Sequence, residues 1–464
     1  MSTIPISRRT LIKTLAAGSA GVGINAIAPW VIPETPGFAV NTSYWSIELA
    51  EKNPAPTTDI VCDIAIVGGG FTGLSTAYYL TQNLPSAHVV VLEAERCGNG
   101  ASGRNGAMLM NLTGDTYMDM SADRALHERL YRLTVDNIGR LAALSKRYGI
   151  DLDLELNGTL VVGESRADAD QFADIAAAAQ RRGVPMQFWN ADQVRNHIGS
   201  RIYSSGLLEP NSGQLHPGKL VRLWKTAAQS SGAIIHESTQ VSDIQHGDTV
   251  QIHLANGRTV RTRKLVLATN AYTSKLGYLR NAVVPIVNHV AITAPIAPAQ
   301  LEKAGWRARM PFCDNRINVT YLGITPDRRI HIGGASEQYQ FNNGVTLPPD
   351  TQGAIQRLRD EFERLFPELG QVAFERHWWG LVDMSADESP AVGHFDAHDN
   401  IYYAVGLSGH GVNLTSVLGR ILADVVAGRG AQWNWFPYLN RLPPYLPNEP
   451  LRWLAAQAAF AFLR

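Results

Sequence analysis

Cysteine is scarce in this sequence of 464 residues, and its positions form no recognisable pattern. Cys62, Cys97 and Cys313 contain no C-x-x-C pair and no combination with histidine at metal-ligand spacing. This argues against both a disulfide framework and a zinc site, and we expect no bound metal. The sequence also lacks a repeat of fixed period, and no low-complexity block interrupts it after the first 58 residues.

Charge of one sign is not in excess, because 41 basic residues balance 41 acidic ones. No global field would steer a polyanion to such a chain, so we expect no nucleic-acid partner. The sequence also shows no motif for a Ser/His/Asp set or for a catalytic pair of carboxylates. What is present is 45% hydrophobic residues and 41 glycines, a composition typical of a well-packed α/β enzyme with two domains.

The amino terminus carries paired arginines followed by a modestly apolar stretch of small residues. Arg8 and Arg9 lie in "SRRTLIK", "TLAAGSAGVGINAIA" follows, and no acidic residue occurs before Glu34. This order resembles a twin-arginine export signal, with Leu11 and Ile12 at its apolar positions. An amphipathic helix with two solvated arginines is the alternative.

We therefore expect residues 1–40 to be an export signal or a retained membrane anchor, and residues 41–58 to be a linker. Ala26-Ile27-Ala28 offers a cleavage site, but Pro29 follows it directly. The protein would then be periplasmic or associated with the periplasmic face of a membrane. It would be cytoplasmic if the paired arginines are not a signal.

A strand, a glycine turn and a helix follow one another in "IAIVGGGFTGLSTAYYL", which begins at Ile64. Gly68, Gly70 and Gly73 form G-x-G-x-x-G, and Glu93 follows the last glycine by 20 residues. Such glycines permit a tight turn, close approach to a pyrophosphate and close helix–strand packing, while the acidic residue binds a ribose. The pattern predicts a dinucleotide site with the phosphates at a helix N-terminus. Glu93 disfavours NADP, because a carboxylate would repel a 2′-phosphate.

A second glycine cluster, "RCGNGASGRNGAMLM", follows the second strand. Four glycines within nine residues predict a backbone that closely approaches an extended ligand, which favours FAD over NAD. A flexible surface loop is the alternative, although the apolar "AMLM" indicates burial. The predicted cofactor contacts in these two clusters are Gly68, Gly70, Phe71, Thr72, Gly73, Glu93, Ala94, Gly100, Ala101, Ser102, Gly103, Arg104, Asn105 and Gly106.

Together with "SYW", "LATNAYT" and "GLSGHGVNLTSVLGRILADVVAG", these blocks resemble the D-amino acid oxidase and glycine oxidase class of flavoenzymes, and in particular γ-glutamylputrescine oxidoreductases. The resemblance spans about Tyr44 to Gly428. It implies an α/β fold: a Rossmann-like FAD-binding domain of the glutathione-reductase type, and an α+β substrate domain with an antiparallel sheet. The implied segments are 59–152, 201–282 and 375–440 for the FAD-binding domain, 153–200 and 283–374 for the substrate domain, and 441–464 for a C-terminal helix.

The resemblance also implies where the rest of FAD lies. The loop from Gly406 to Gly411 would face the flavin N1–C2=O edge, where a helix N-terminus stabilises the reduced anion; an ordinary crossover helix is the alternative. Sarcosine oxidases carry a cysteine that bonds FAD and a lysine that binds substrate where this chain has Gly380 and Asn413, so non-covalent FAD is expected. The further implied cofactor contacts are Val241, Ala268, Thr269, Asn270, Gly406, Gly409, His410, Gly411, Val412 and Asn413.

Fewer motifs mark the substrate side. Arg316 or Arg104 is a candidate to grip a carboxylate, although a lone arginine is more often a structural ion-pair partner. Trp378 and Trp379 form either an aromatic wall or a pair divided between core and pocket. Because the sarcosine-type lysine is missing, the sequence favours amines over small α-amino acids. The predicted catalytic or substrate-contacting residues are His289, Arg316, Tyr321, Trp379 and Asn413.

The expected reaction is oxidation of a C–N bond, in which an uncharged amine or amino acid gives a hydride to flavin N5 and the imine hydrolyses to a carbonyl. Oxygen would accept the electrons, or a quinone or carrier if the protein associates with a membrane surface. The apolar tail "EPLRWLAAQAAFAFLR" either docks on lipid or packs on its own domain. The alternatives are a membrane-associated amino acid dehydrogenase or deaminase, and a non-catalytic flavin-binding export or assembly factor.

Overall fold

The computed structural model of the protein describes residues 39–111, 124–316, 318–334, 337–345 and 350–462. The paired arginines and the rest of the expected export signal lie outside these residues. The strands are β1 (Ala39–Val40), β2 (Ile60–Val67), β3 (Val89–Leu92), β4 (Met108–Leu109), β5 (Thr159–Gly163), β6 (Gln187–Asn190), β7 (Ser205–Glu209), β8 (Gly213–Gln214), β9 (Ile234–His236), β10 (Val241–Gln245), β11 (Val250–Leu254), β12 (Thr259–Leu267), β13 (Val283–Thr293), β14 (Phe312–Asp314), β15 (Thr320–Ile324), β16 (Ile330–Gly334), β17 (Gln338–Tyr339), β18 (Phe374–Ser385), β19 (Ala391–Phe395) and β20 (His398–Val405). The α-helices are α1 (Phe71–Asn83), α2 (Arg124–Tyr148), α3 (Arg166–Arg181), α4 (Ala191–Ile198), α5 (Pro217–Ser230), α6 (Pro298–Ala304), α7 (Thr351–Leu365), α8 (Gly411–Val426) and α9 (Leu451–Phe462).

The strand that leads into the first glycine motif lies inside an eight-stranded sheet. Its order is β10-β11-β12-β2-β3-β9, with β20 beside β12 and β19 beside β20. β2 runs parallel to β12 and β3, and β3 runs parallel to β9. The last four residues of β2 and all of β3 are buried, as apolar strands covered on both faces should be. This parallel core is the predicted Rossmann-like half of the fold.

Helix α1 starts directly after the glycine turn and is buried between the first sheet, α5 and α8. Its approach to α8 depends on Gly419, because a Cβ at this position would overlap Ser75 Oγ and lie 3.0 Å from Thr76 N. Trp224 of α5 donates a hydrogen bond to Ser416 Oγ of α8 at 3.2 Å. The three helices therefore lock together over the sheet and hold the glycine turn in place.

The second sheet has ten strands in the order β1-β18-β13-β16-β15-β14-β5-β7-β6, with β17 also beside β13. β13 and β18 pair in antiparallel fashion along their length, from Val283 opposite Ser385 to Thr293 opposite Phe374. Every residue of β13 is buried. Most pairings in this second sheet are antiparallel, and among its described strands only β1–β18 and β5–β14 pair in parallel. The antiparallel sheet predicted for the substrate domain is thus confirmed.

Two strands belong to a different sheet from the one predicted for their segment. β7, within the expected FAD-binding segment 201–282, pairs with β5 and β6 in the second sheet. β18, at the start of the expected segment 375–440, is an inner strand of the same sheet. Both strands are placed by backbone hydrogen bonds to partners far away in the chain. Local sequence pattern carries no information on such partners.

The expected C-terminal helix is present as α9 and packs on the edge of the second sheet near β17. Trp453 and Phe460 lie against the cluster that contains Tyr339. Arg452 is buried and donates to Tyr339 Oη and to the Arg280 carbonyl, both at 2.8 Å. No helix in the described part of the chain is both long and apolar enough to cross a membrane.

We expect Gly419→Ala to lower the free energy of unfolding by about 1–3 kcal/mol, because the added methyl group overpacks the contact between α1 and α8. The matched control is Gly139→Ala on α2, where a Cβ meets no atom within 4 Å. That control should be neutral or up to about 1 kcal/mol stabilising, since alanine favours a helix. Urea denaturation of the two variants tests the expectation, and equal midpoints would contradict it.

Candidate active site

A cavity of about 1410 Å³ is lined by residues of both sheets. Pockets for one drug-sized ligand usually measure about 300–1,000 Å³, so this cavity has room for a dinucleotide and a small substrate. The predicted cofactor residues that line it are Gly68, Gly70, Phe71, Thr72, Glu93, Ala94, Gly100, Ala101, Ser102, Arg104, Asn105, Gly106, Val241, Ala268, Thr269, Asn270, Gly409, His410, Gly411 and Val412.

Glu93 holds the first glycine turn in place. Its Oε2 accepts a hydrogen bond from Gly69 N at 2.7 Å, and its Oε1 accepts one from Glu95 N at 3.0 Å. Burial raises the pKa of Glu93, and these two N–H groups oppose the rise. Gly68 has φ +111°, and a Cβ there would lie 2.9 Å from the Ala268 carbonyl carbon, so the turn requires glycine.

Ser102 joins the second glycine cluster to the start of α1. Its Oγ accepts a hydrogen bond from Phe71 N at 2.9 Å. A Cβ at Gly70 would lie 2.8 Å from the same oxygen. The second cluster therefore closes over the N-terminus of α1, where a phosphate would be favoured by the helix dipole.

Gly73 and Gly103 lie outside the cavity lining, and their contribution is to backbone packing. A Cβ at Gly73 would overlap the Gly68 carbonyl oxygen, and one at Gly103 would overlap the Gly98 carbonyl oxygen. Each glycine thus allows its own loop to fold back on itself. The two glycines were predicted to touch the cofactor directly, whereas the structure gives them a supporting role in the packing of the loops.

A buried ion pair that the sequence analysis missed fixes the start of the second glycine cluster. Lys225 Nζ lies 2.6 Å from Glu237 Oε2, and the two side chains are 2% and 0% exposed. Glu237 also accepts hydrogen bonds from Cys97 N at 2.6 Å and Asn53 N at 2.5 Å. Burial opposes ionisation, but these donors hold the pKa of Glu237 below its usual value. No local motif marks either residue.

Arg104 lines the cavity, but protein atoms already engage its guanidinium group. Nε donates to the Asn99 carbonyl at 2.6 Å, and Nη1 donates to Asn41 Oδ1 at 2.8 Å and the Trp379 carbonyl at 3.0 Å. Burial lowers the pKa of Arg104. Its role is to tie the second glycine cluster to β18, which leaves it poorly placed to bind a substrate carboxylate.

Tyr321 stands where the second glycine cluster meets the second sheet. A Cβ at Gly106, or at Gly333 opposite Tyr321 in the sheet, would overlap the phenol ring. Tyr321 Oη donates to Asn288 Oδ1 at 2.7 Å, and both residues line the cavity. Burial raises the pKa of Tyr321, so the phenol stays protonated. Asn288 was not predicted; the only sequence signal was an amide beside His289 in a largely apolar strand.

The loop from Gly406 to Gly411 forms another part of the wall. Gly406 N donates to Asp383 Oδ2 at 2.6 Å, and Leu407 N donates to Asp383 Oδ1 at 3.2 Å. The Gly406 amide, which was expected to face the flavin, therefore points to a carboxylate instead, and Gly406 is absent from the lining. Gly409 and Gly411 do line the cavity, where α8 begins.

Arg316 lines the cavity and is the cationic member of a cluster of charged side chains. Its Nη2 lies 2.5 Å from Asp314 Oδ2 and also pairs with Glu361. It donates to Thr320 Oγ1 at 2.9 Å as well. Burial opposes the charge, but the two carboxylates raise the pKa of Arg316. The structural ion-pair alternative therefore describes Arg316 better than the predicted carboxylate grip.

His289 and the two tryptophans of β18 lie in the second sheet outside the cavity lining. His289 is fully buried, and its Nδ1 lies 3.0 Å from His377 Nε2. Trp378 is fully buried and donates to the Arg104 carbonyl at 2.9 Å. Trp379 packs in a cluster with Leu381. A catalytic role for His289 or Trp379 is not supported by the lining of the cavity, because neither residue is part of it.

Asn413 also lies outside the cavity lining, although it was expected to contact both cofactor and substrate. Its amide donates to Asn111 Oδ1 at 3.0 Å and to the Thr134 carbonyl at 3.1 Å. Its Oδ1 accepts from Asn137 Nδ2 at 2.8 Å. The side chain thus joins α8 to α2. The identity of this residue therefore gives no evidence about which substrate is preferred.

A family model described as FAD dependent oxidoreductase matches residues 63–425, which is more than half of the chain. The chain belongs to this family. It is 28% identical to the γ-glutamylputrescine oxidoreductase of Escherichia coli, over 87% of this chain and 92% of that protein. It is 29% identical to the probable oxidoreductase OrdL of Haemophilus influenzae, over 83% and 88%. Glycine oxidase from Geobacillus kaustophilus superposes with a TM-score of 0.70 at 21% identity, over 84% and 100% of the two chains.

The geometry fits FAD, whose bound flavin accepts a hydride at N5. The glycine turn at Gly68, the carboxylate of Glu93 and the N-terminus of α1 suit the adenosine diphosphate half. The remaining cavity, between the second sheet and the start of α8, suits the flavin half. Gly380, which has no side chain that could bond FAD, lines this part of the cavity, and this agrees with the expected non-covalent FAD.

We expect His377→Gln to flatten the pH dependence of unfolding. Burial lowers the pKa of His377 to about 3 and that of His289 to about 4, whereas an unfolded histidine titrates near 6.5. As the pH falls below about 6.5 the unfolded chain binds protons first, so stability is lost down to the folded-state pKa.

Between pH 7.5 and pH 5 this loss is about 2 kcal/mol for each histidine. Urea denaturation at the two pH values should therefore show wild type losing about 2 kcal/mol more than the variant. His289→Gln serves as the matched comparison and should behave in the same way. An equal loss in all three proteins would show that these histidines are not buried in the neutral form.

Proposed function

We propose that this flavoenzyme oxidises the C–N bond of an amine that binds against Tyr321 and Asn288. The names of two similar proteins, γ-glutamylputrescine oxidoreductase and glycine oxidase, support amines and amino acids as the donor class. The observation that favours an amine is that protein groups already engage both arginines that line the cavity. An α-amino acid would need a free cation for its carboxylate.

Three cations line the cavity among the described residues. Arg104 donates to two carbonyls and an amide, and Arg316 pairs with two carboxylates. Lys275 is exposed at the rim and lies 3.4 Å from a backbone carbonyl. Acidic residues also line this space, among them Glu337 and Asp314, the second of which pairs with Arg316. Such a wall is better suited to a substrate with a cationic end than to one with a carboxylate.

Tyr321 is the group best placed to orient the reacting amine. Because its hydroxyl hydrogen is donated to Asn288, its oxygen presents lone pairs to the cavity and can accept a hydrogen bond from a substrate N–H. Burial keeps the phenol protonated, so it positions the amine and does not remove a proton. Holding the uncharged amine in a water-poor cavity supplies the orientation that hydride transfer needs.

We expect Tyr321→Phe to lower kcat/KM roughly tenfold, the effect of losing one hydrogen bond of about 1.4 kcal/mol. Bound FAD should be unchanged, as measured by flavin absorbance. The control is Tyr272→Phe, which removes a hydroxyl at the exposed rim of the same cavity and should leave kcat/KM near the wild-type value. Equal values of kcat/KM for the two variants would show that Tyr321 does not bind the substrate.

The donor class is tested by anaerobic bleaching of the yellow holoenzyme with polyamines, N-methyl amino acids, and D- and L-amino acids. We expect amines without an α-carboxylate to reduce the flavin fastest. Bleaching by α-amino acids alone would overturn the amine proposal and favour an amino acid dehydrogenase or deaminase. If none of the panel bleaches the flavin, a non-catalytic flavin-binding role becomes the better account.

We further propose that the chain is exported through its paired arginines and passes electrons to a quinone or carrier at the periplasmic face of a membrane. The order of Arg8, Arg9 and the apolar stretch after them supports this. In fractionated cells, the wild-type protein should be periplasmic or membrane-associated and reduce quinone analogues with little peroxide. The double variant Arg8→Lys/Arg9→Lys should stay in the cytoplasm. A wild-type protein found only in the cytoplasm would contradict the proposal.

A further inference from the structure

Asp383 is a buried carboxylate in the cavity wall that the reaction described above does not use. It is 1% exposed and lies on β18 opposite Pro285 of β13. Its two oxygens accept hydrogen bonds from Gly406 N and Leu407 N, and no ion pair involves it in the described part of the chain. A carboxylate in such surroundings is costly to keep ionised.

Asp383 also connects the two sheets at the cavity. β18 belongs to the second sheet, whereas the 406–410 loop leads from β20 of the first sheet into α8. The Asp383 carbonyl accepts a further hydrogen bond from Ser408 N at 3.1 Å. One residue therefore holds three consecutive amides of this loop. A change in the charge of Asp383 acts directly on the loop that precedes α8.

The same wall is where negative charge develops on reduction of the cofactor. The adenosine diphosphate half of FAD suits the glycine turn at the start of α1, so the flavin half falls between the second sheet and the start of α8. The partial positive charge at the N-terminus of α8 favours an anion there. An ionised Asp383 and an anionic reduced flavin would share one wall of low dielectric constant, where like charges repel strongly.

We propose that Asp383, when it is ionised in the oxidised enzyme, binds a proton as the bound flavin is reduced. Reduction gives the flavin two electrons and one proton, and a second proton passes from solvent to a carboxylate oxygen of Asp383. Reoxidation by the acceptor releases both protons. The wall thus never carries two negative charges, which makes reduction more favourable than it would be beside a fixed carboxylate. Asp383 is on this account a positioning and charge-compensating residue, not a group that touches the substrate.

The titration of Asp383 fits this role. Burial raises its pKa to about 7, and the Gly406 and Leu407 N–H groups oppose that rise. Burial and backbone hydrogen bonds are the largest influences on its pKa, and titratable groups occur on the surrounding elements. Those groups are Tyr272, Lys275, Asp387, Glu388 and His410. A negative charge added nearby raises the pKa further, so above about pH 7 the protonation of Asp383 follows the redox state.

The test is the pH dependence of the flavin midpoint potential, measured on the holoenzyme by equilibration with redox dyes between pH 6 and pH 9. For wild type we expect the holoenzyme to take up one proton per two electrons below about pH 7, and two protons per two electrons above about pH 7. Asp383→Asn should show one proton per two electrons throughout. The matched control Asp387→Asn removes a carboxylate four residues away that pairs with Arg441, and it should retain the wild-type steepening.

A wild-type protein that takes up one proton at every pH would overturn the proposal, as would steepening that persists in Asp383→Asn. If Asp383→Asn does not retain FAD, the proposal is tested on the wild-type holoenzyme alone. Its reduced-minus-oxidised infrared spectrum at pH 8 should contain the C=O band of a protonated carboxyl group, and absence of that band overturns the proposal. Because reduction here is chemical, the result is independent of the amine substrate and of the function proposed above.

Discussion

The buried pair of Lys225 and Glu237 is the interaction on which the cofactor half of the cavity depends. It is assembled from four separated parts of the chain: α5, the end of β9, the segment around Asn53 and the start of the second glycine cluster at Cys97. Removing one partner of such a pair leaves an uncompensated buried charge, typically at a cost of about 3–5 kcal/mol. The backbone hydrogen bonds to Glu237 turn this charge into a fixed anchor for the loop that closes over α1.

A second constraint is the close approach of backbone to backbone around the cavity. Gly68, Gly73 and Gly103 each stand where a Cβ would meet another residue's main chain. Gly68 lines the cavity of about 1410 Å³, whereas Gly73 and Gly103 support the two glycine loops from outside its lining. Arg104 and Asp383 then tie the two sheets together across that volume, each through hydrogen bonds to backbone groups. Cofactor binding and domain docking therefore rely on the same contacts.

Local motifs predicted many of the residues that line the cavity near the glycine turn and few of those that line it from the second sheet, for a physical reason. The contacts predicted for phosphate and ribose come from a strand, a turn and a helix that are adjacent in sequence, so glycine spacing and Glu93 suffice to predict them. The substrate wall is built from side chains of separate strands, such as Tyr321 on β15 and Asn288 on β13, which are 33 residues apart in sequence and have β16 between their strands. His289 and Asn413 have the residue types expected of an active site. However, the side chain of His289 contacts His377, and that of Asn413 is hydrogen-bonded to α2. Residue type alone does not show in which direction a buried side chain points.

By itself the sequence determined the glycine turn and a dinucleotide site, because these depend on local periodicity and on spacings within one βαβ unit. The choice of FAD rested on the second glycine cluster together with the family resemblance, and the resemblance also implied the two-domain fold and the antiparallel character of the second sheet. Only the tertiary structure decided which strands belong to which sheet, and which cations are already paired. Only the tertiary structure placed Asp383 beneath the Gly406 loop, because β18 and that loop meet through long-range packing of two sheets. Hydrogen bonds between distant segments leave no periodic trace in either segment.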